Sequence, residues 1–136
     1  RMKKDRKERI TPEWIHSLKE SEIFVFGSNL QGMHAGGAAR IATEKFGAIR
    51  GQGAGLQGQS YAIPTMQGGV ETIQPYVDEF VVFAQAHPEL TFLVTPVGCG
   101  IAGFTAEEIA PLFRKAIDIL NIWLPAVFWQ VLDTDA

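Results

Sequence analysis

Glycine placement is the sequence feature that most restricts how this chain of 136 residues can fold. Eleven of the fourteen glycines lie within residues 27–69, and the other three lie within residues 98–103. Segments 70–97 and 104–136 contain none. Because glycine weakens regular elements and permits tight turns, we expect helices and strands to alternate with two glycine-rich regions of irregular backbone.

The composition is that of one ordinary globular domain, with 46% hydrophobic and 20% charged residues. No apolar run approaches the ~20 residues that a membrane span needs, and no stretch resembles a signal peptide. Cys99 is the single cysteine, so an internal disulfide or a cysteine zinc cluster is excluded, and we expect a cytoplasmic protein. The spacing of histidines and carboxylates suggests no metal site, and no cofactor is predicted.

Basic residues are concentrated at the start of the chain. Six of the twelve lie in residues 1–9, namely Arg1, Lys3, Lys4, Arg6, Lys7 and Arg9. We therefore predict a basic, frayed segment over residues 1–9 and a single domain over residues 10–136. The domain itself is acidic, whereas a nucleic-acid groove needs Lys and Arg spread along one face, so the sequence argues against a nucleic-acid partner. The oligomeric state is left open.

Hydrophobic periodicity predicts an alternating order of helices and strands. Strands are predicted over residues 23–26, 60–63, 91–97 and 127–132. Helices are predicted over residues 12–18, 38–46, 75–87 and 105–120, the last with a capping box of Thr105 and Glu108 and weakened by Pro111. Strands joined by helices need crossover connections, so we predict an α/β fold, a three-layer α/β/α sandwich with a mainly parallel central sheet.

Two glycine-rich loops follow predicted strands and lead into predicted helices, at residues 27–37 and 98–104. In open α/β sheets ligands bind beside the carboxyl ends of the strands, where loops of this kind lie. Glycines permit close backbone approach, and a helix start presents unpaired N–H groups with a partial positive charge. Neither loop contains Lys or Arg, so main-chain amides would hold an anion, which suits a diphosphate within a larger ligand. The alternative is that the glycines only make tight turns and close packing.

Three side chains in these loops could carry chemistry. His34 could act as a general base or as a cation near a phosphate, although loop histidines more often bond only to backbone. Asn29 follows a buried strand and could either bind a ligand or cap the loop. Cys99, at a strand-to-helix turn, could be a nucleophile with His34 as its base, or merely a small residue tolerated beside phosphate.

The same two loops resemble the macro domain superfamily, whose members bind ADP-ribose and related metabolites. The segments that carry the resemblance are VFGSNLQGMHAGGAARIA and TPVGCGIAGFTAEEIAPLF. ERIT, SYAIPT and FWQVL correspond more loosely to the family's opening turn, a middle strand and the strand near the adenine. The resemblance spans about residues 8–133, and it implies a macro-like fold in a short, divergent member.

The resemblance also implies roles for individual residues. Asn29 would orient the distal ribose or a water. The catalytic candidates are Asn29 and, on its own chemistry as the only visible base rather than through the resemblance, His34. The implied ligand-binding residues are Gly27, Ser28, Asn29, Gly36, Gly37, Gly98, Cys99, Gly100, Ile101, Ala102, Gly103 and Phe104. Arg9 stands where the family has its adenine-reading Asp, and Ala38 and Ala39 stand where hydrolytic members often have an acidic residue.

We therefore expect a domain that binds ADP-ribose or a related NAD-derived nucleotide, free or attached to an ADP-ribosylated target. Hydrolysis of an ADP-ribosyl linkage is one capacity left open, and a reader without turnover is another. A cysteine-dependent acyl or phosphoryl hydrolase using Cys99 and His34 is the alternative from a different class. The last alternative is a structural domain that binds no small ligand.

Overall fold

The computed structural model describes residues 4–134. Its strands are Glu22–Ser28 (β1), Gly55–Gln57 (β2), Ser60–Pro64 (β3), Thr91–Val94 (β4) and Ile122–Trp123 (β5). Its α-helices are Lys4–Lys7 (α1), Gly37–Lys45 (α2), Gln74–Gln85 (α3), Ala106–Ile109 (α4) and Ala126–Thr134 (α5). Two 3-10 helices cover Val70–Thr72 and Ala110–Asp118. None of the helices in residues 4–134 is both long and apolar enough to cross a membrane.

The five strands form one sheet in the order β2-β3-β1-β4-β5. β1 is central and pairs in parallel with both β3 and β4, and β4 pairs in parallel with β5. β2 is the exception, an antiparallel edge strand of three residues paired with β3. The predicted α/β class with a mainly parallel sheet is confirmed, whereas the short strand β2 was not predicted.

Alternate residues of β1 belong to two separate cores, as expected for a strand with both faces covered. Ile23 and Val25 pack in the larger core with α3, α4, the second 3-10 helix and α5. Phe24 and Phe26 pack in a smaller core against α2. Helices therefore cover both faces of the sheet, an arrangement compatible with three layers.

The predicted helix over residues 12–18 is wrong, because this segment is irregular. Ile10 forms a parallel bridge with Leu124, and the Thr11 amide donates to the Leu124 carbonyl at 3.0 Å. The chain thus arrives extended along the sheet edge. Ile15 and Leu18 then pack on the smaller core from this irregular segment.

The predicted strand over residues 127–132 is also wrong, because this segment lies within helix α5. The buried residues Phe128, Trp129 and Leu132 are spaced i, i+1 and i+4, so they share one helical face. Aromatic and β-branched residues favour strands intrinsically, but burial of this face against the other helices prevails. The last strand is β5, which ends before this segment begins.

The predicted helix over residues 105–120 is divided in two. The expected capping box is confirmed, with the Glu108 amide donating to Thr105 Oγ1 and the Glu108 carboxylate accepting from the Thr105 amide. Pro111 lacks an N–H and cannot supply an α-helical hydrogen bond. Only α4 is α-helical, and the chain continues as a 3-10 helix.

The expectation of a frayed start is wrong for residues 4–9, while residues 1–3 lie outside the described residues. Arg6 forms an ion pair with Asp133.

The Arg9 guanidinium is buried and lies 5.1 Å from the Trp129 ring centroid. It donates to four backbone carbonyls that cap the second 3-10 helix and begin β5, those of Ala116, Ile117, Ile119 and Ile122. Burial lowers the Arg9 pKa, mainly by desolvation, and the domain therefore includes Arg9.

Candidate functional site

The two glycine-rich loops meet at one cavity. They follow β1 and β4, which are adjacent parallel strands, so both loops begin at the same edge of the sheet. The cavity has a volume of about 260 Å³. Ten of the thirteen predicted site residues line it, namely Gly27, Ser28, Asn29, His34, Gly36, Gly37, Gly98, Gly100, Ile101 and Ala102.

The second loop presents unpaired amides to this cavity. The amides of Cys99, Gly103 and Phe104 donate to carbonyls within the loop, which fixes its shape. Those of the three residues between them, 100–102, donate to no acceptor among residues 4–134. Successive free N–H groups of this kind form a concave site for an anion.

The start of helix α2 forms the opposing wall. The first intrahelical bond is from Arg40 N–H to the Gly36 carbonyl, at 3.3 Å. The amides of Gly37, Ala38 and Ala39 therefore have no helical partner, and all three residues line the cavity. Gly36 supplies no side-chain cap, so the partial positive charge of the helix end is left for a ligand.

Hydrogen bonds within the first loop and to residues 51 and 53 fix its conformation. Asn29 Oδ1 accepts from the Met33 amide at 3.0 Å, and Ser28 Oγ donates to the Gly53 carbonyl. The Gly51 amide donates to the Gly32 carbonyl at 2.8 Å. Asn29 thus caps the loop through its Oδ1 and also lines the cavity, and its role toward a ligand stays a prediction.

His34 is only 2% exposed and lies in the wall of the cavity. Its backbone is left-handed, with φ of 48°, and its ring meets Phe26 edge-on at 5.2 Å between centroids. The Nε2 atom lies 3.2 Å from Gln57 Oε1. The Nδ1 atom is buried and has no hydrogen-bond partner within residues 4–134. Since an unpaired buried acceptor is costly, this nitrogen is a candidate for contact with a ligand.

Three predicted ligand residues, Cys99, Gly103 and Phe104, lie outside the wall of the cavity. Cys99 and Phe104 are partly buried and pack against the larger core instead. Burial, reinforced by the carboxylates of Glu107 and Glu108, raises the pKa of the Cys99 thiol. A raised pKa disfavours the thiolate, so these observations disfavour a nucleophilic role for Cys99.

A larger apolar groove of about 870 Å³ adjoins the cavity. Residues common to both are Gly37, Ala38, Thr95 and Pro96. The groove runs between segment 10–16 and helix α2, with the ring of Phe24 among its lining residues. Trp14, which is 75% exposed, also lines it. Arg9 lines neither the cavity nor the groove, because its donors are used inside the fold.

Sequence reasoning missed several residues of the site. Thr65 and Met66 follow β3, and their position beyond a third parallel strand could have indicated them. Thr95, Pro96 and Val97 precede the second loop and also line the cavity. Gln57, which contacts His34, lies in the unpredicted strand β2, and no sequence signal pointed to it.

Residues 4–134 contain no group of three or more His, Cys, Asp or Glu residues arranged to hold a metal ion. Comparison of the chain with models of protein families, with curated proteins and with solved structures finds no match in any of the three.

Proposed function

We propose that this protein binds ADP-ribose or a closely related NAD-derived nucleotide. One observation carries the proposal: a single cavity is walled by unpaired amides from the second loop on one side and by the open N-terminus of α2 on the other. Two sets of main-chain donors facing one space suit two linked phosphates. Kinship with the macro domain superfamily is part of the proposal, supported by the two motif segments bordering the same cavity.

The diphosphate would be held by backbone donors alone, since neither loop contains Lys or Arg. Each charge-assisted hydrogen bond to a phosphate oxygen contributes about 1.5–3 kcal/mol. Three or four such bonds, after ordering costs, are consistent with micromolar affinity, or about −8 kcal/mol.

The neighbouring groove supports an elongated ligand rather than a free phosphate. The cavity of about 260 Å³ is smaller than the ~300–1,000 Å³ of most ligand pockets, and the groove extends it. The exposed ring of Trp14 and the apolar surface of the groove suit a planar base. Asn29 and His34, in the cavity, suit the hydroxyl groups of a terminal ribose.

Calorimetry with ADP-ribose, ADP and NAD side by side tests the proposal. We expect micromolar binding of ADP-ribose and at least about tenfold weaker binding of ADP, which lacks the terminal ribose. At ~100 times Kd, ADP-ribose should raise the free energy of unfolding by about 2.7 kcal/mol. No heat and no thermal stabilisation with any of the three compounds at millimolar concentration would refute the proposal.

Hydrolysis of an ADP-ribosyl linkage at the same site is the second candidate. The observation in its favour is the buried Nδ1 of His34, which has no hydrogen-bond partner within residues 4–134 and could serve as a general base. No Asp or Glu is among the described residues that line the cavity, so no carboxylate there offers the same role. The test is release of ADP-ribose from an ADP-ribosylated protein by the wild type and by His34→Ala. Binding without release by the wild type would identify a reader.

A further inference from the structure

Gln57, on strand β2, is 2% exposed, and three backbone groups fix the orientation of its amide. Its Nε2 donates to the carbonyls of Gln52 at 3.1 Å and Gly55 at 3.3 Å. Its Oε1 accepts from the Ile49 amide at 2.7 Å. Exchanging the amide oxygen and nitrogen would break all three bonds, so the atom that faces His34 is an acceptor.

This orientation determines which nitrogen of His34 carries hydrogen. Since Gln57 Oε1 can only accept, His34 Nε2 must donate. A further hydrogen on Nδ1 would be a buried donor with no acceptor within residues 4–134. His34 therefore has hydrogen on Nε2 and a free lone pair on Nδ1. His34 lines the cavity, and its Nδ1 is an acceptor among the main-chain donors of the two loops; because Nδ1 itself exposes almost no surface, a ligand hydroxyl reaches it only when the atoms that cover it move aside.

We propose that Gln57 is a positioning residue that holds His34 in the Nε2–H tautomer, so that Nδ1 accepts a hydrogen bond from a hydroxyl group of the bound ligand. This inference rests on the proposed function, in which the hydroxyl belongs to the terminal ribose of ADP-ribose. It also defines the ligand class, because a lone pair accepts from a hydroxyl group and repels a phosphate oxygen. The site should therefore favour a sugar over a third phosphate at this position.

The tautomer is measured without any ligand, by long-range ¹H–¹⁵N correlation on protein labelled at histidine, with His34→Asn used to assign the signal. In the wild type we expect protonated Nε2 and unprotonated Nδ1. Gln57→Met removes the acceptor and should change this pattern. Gln52→Met is the matched control, because the Gln52 side chain donates to the carbonyls of Ala54 and Leu56 rather than to His34. A wild type with hydrogen on Nδ1, or an unchanged pattern in Gln57→Met, overturns the inference.

Binding provides the second measurement. Gln57→Met should weaken ADP-ribose binding by about 5- to 30-fold, while Gln52→Met stays within about threefold of wild type. ADP-ribose should also bind more tightly than ATP, and this preference should fall in Gln57→Met. Protonation of both His34 nitrogens in the ADP-ribose complex would overturn the inference while leaving the proposed function intact. If the wild type bound none of the nucleotides, the proposed function would be refuted. The tautomer of His34 in the free protein would still be determined by the ¹H–¹⁵N correlation measurement.

Discussion

Within residues 27–69, several glycines occur where another stretch of backbone occupies the space that a side chain would need. A Cβ on Gly53 would overlap the carbonyl oxygens of Asn29 and Leu30, and one on Gly58 would lie 2.7 Å from Gly47 Cα. In the second region, by contrast, a Cβ on Gly100 would have no heavy atom within 4 Å. One set of glycines lets the chain pack on itself, whereas Gly100 borders open space.

The difference separates two causes of glycine enrichment that look identical in a sequence. A glycine required for close packing is explained by the fold alone, and its replacement should cost stability. A glycine beside an empty cavity is not explained in this way, and its replacement should cost ligand affinity. Only glycines of the second kind, such as Gly100, support a binding site.

The largest effect is expected for Gly53→Ala. The added methyl group must displace backbone carbonyls, so the free energy of unfolding should fall by about 3 kcal/mol. Urea denaturation measures the change. Gly100→Ala is the control, because its methyl group meets no atom, and it should stay within about 0.5 kcal/mol of wild type. Equal stability of the two variants would contradict the distinction between the two kinds of glycine.

The reverse result is expected for Gly100→Val. The branched side chain would fill space beside the free amides of residues 100–102 and prevent two or more hydrogen bonds to phosphate, so ADP-ribose affinity should fall about 100-fold. Its free energy of unfolding should remain close to that of wild type. Unchanged affinity, measured by calorimetry, would show that the open space beside Gly100 binds no nucleotide.

Trp14→Ala tests whether the ligand extends from the second loop into the groove. Loss of a stacking surface for a base costs about 1–3 kcal/mol, so we expect roughly tenfold weaker binding of ADP-ribose. Leu120→Ala is the matched control, since Leu120 is 69% exposed and lines neither the cavity nor the groove. If both variants bind like the wild type, the base lies elsewhere.

The smallest effect is expected at Cys99. Because burial raises its pKa, the folded protein favours the protonated thiol; this contribution to stability is present below the unfolded pKa and is lost as pH rises through the folded pKa. Iodoacetamide at mildly alkaline pH should therefore modify the folded protein more slowly than the urea-unfolded chain. Cys99→Ser should change ADP-ribose affinity by less than about twofold. Activity lost in this variant alone would instead favour the cysteine hydrolase.

The sequence predicted the elements whose hydrophobic residues form a clear pattern. Strands β1 and β3 are short apolar runs buried on both faces, and helices α2 and α3 bury residues of one face, so these four elements could be predicted directly. Segment 11–20 and helix α5 could not, because their structure depends on partners far along the chain. Leu124 holds the first of these extended, and packing against other helices makes the second helical.

The site was predictable to a similar extent. Glycines that follow two strands indicated the loops. The parallel pairing of β1 with β4 then brings both loops to the same edge of the sheet. The groove and Gln57 were not predictable, because they depend on the irregular segment around Trp14 and on an edge strand of three residues. Arg9 illustrates the same limit, since its burial requires carbonyls more than 100 positions away.

The left-handed backbone of His34 implies a trade-off that selection experiments can measure. An L-residue with a positive φ costs roughly 1–2 kcal/mol, which glycine avoids. A library randomised at position 34 and selected only for thermal resistance should enrich residues that fill the ring's space against Phe26 or, like Asn, tolerate a positive φ, and not Gly, because removing so deeply buried a ring leaves a cavity that costs more than the backbone strain. The same library selected for nucleotide binding should return His. The difference in thermal stability between the two selected variants would then measure the stability that the chain loses by keeping His34.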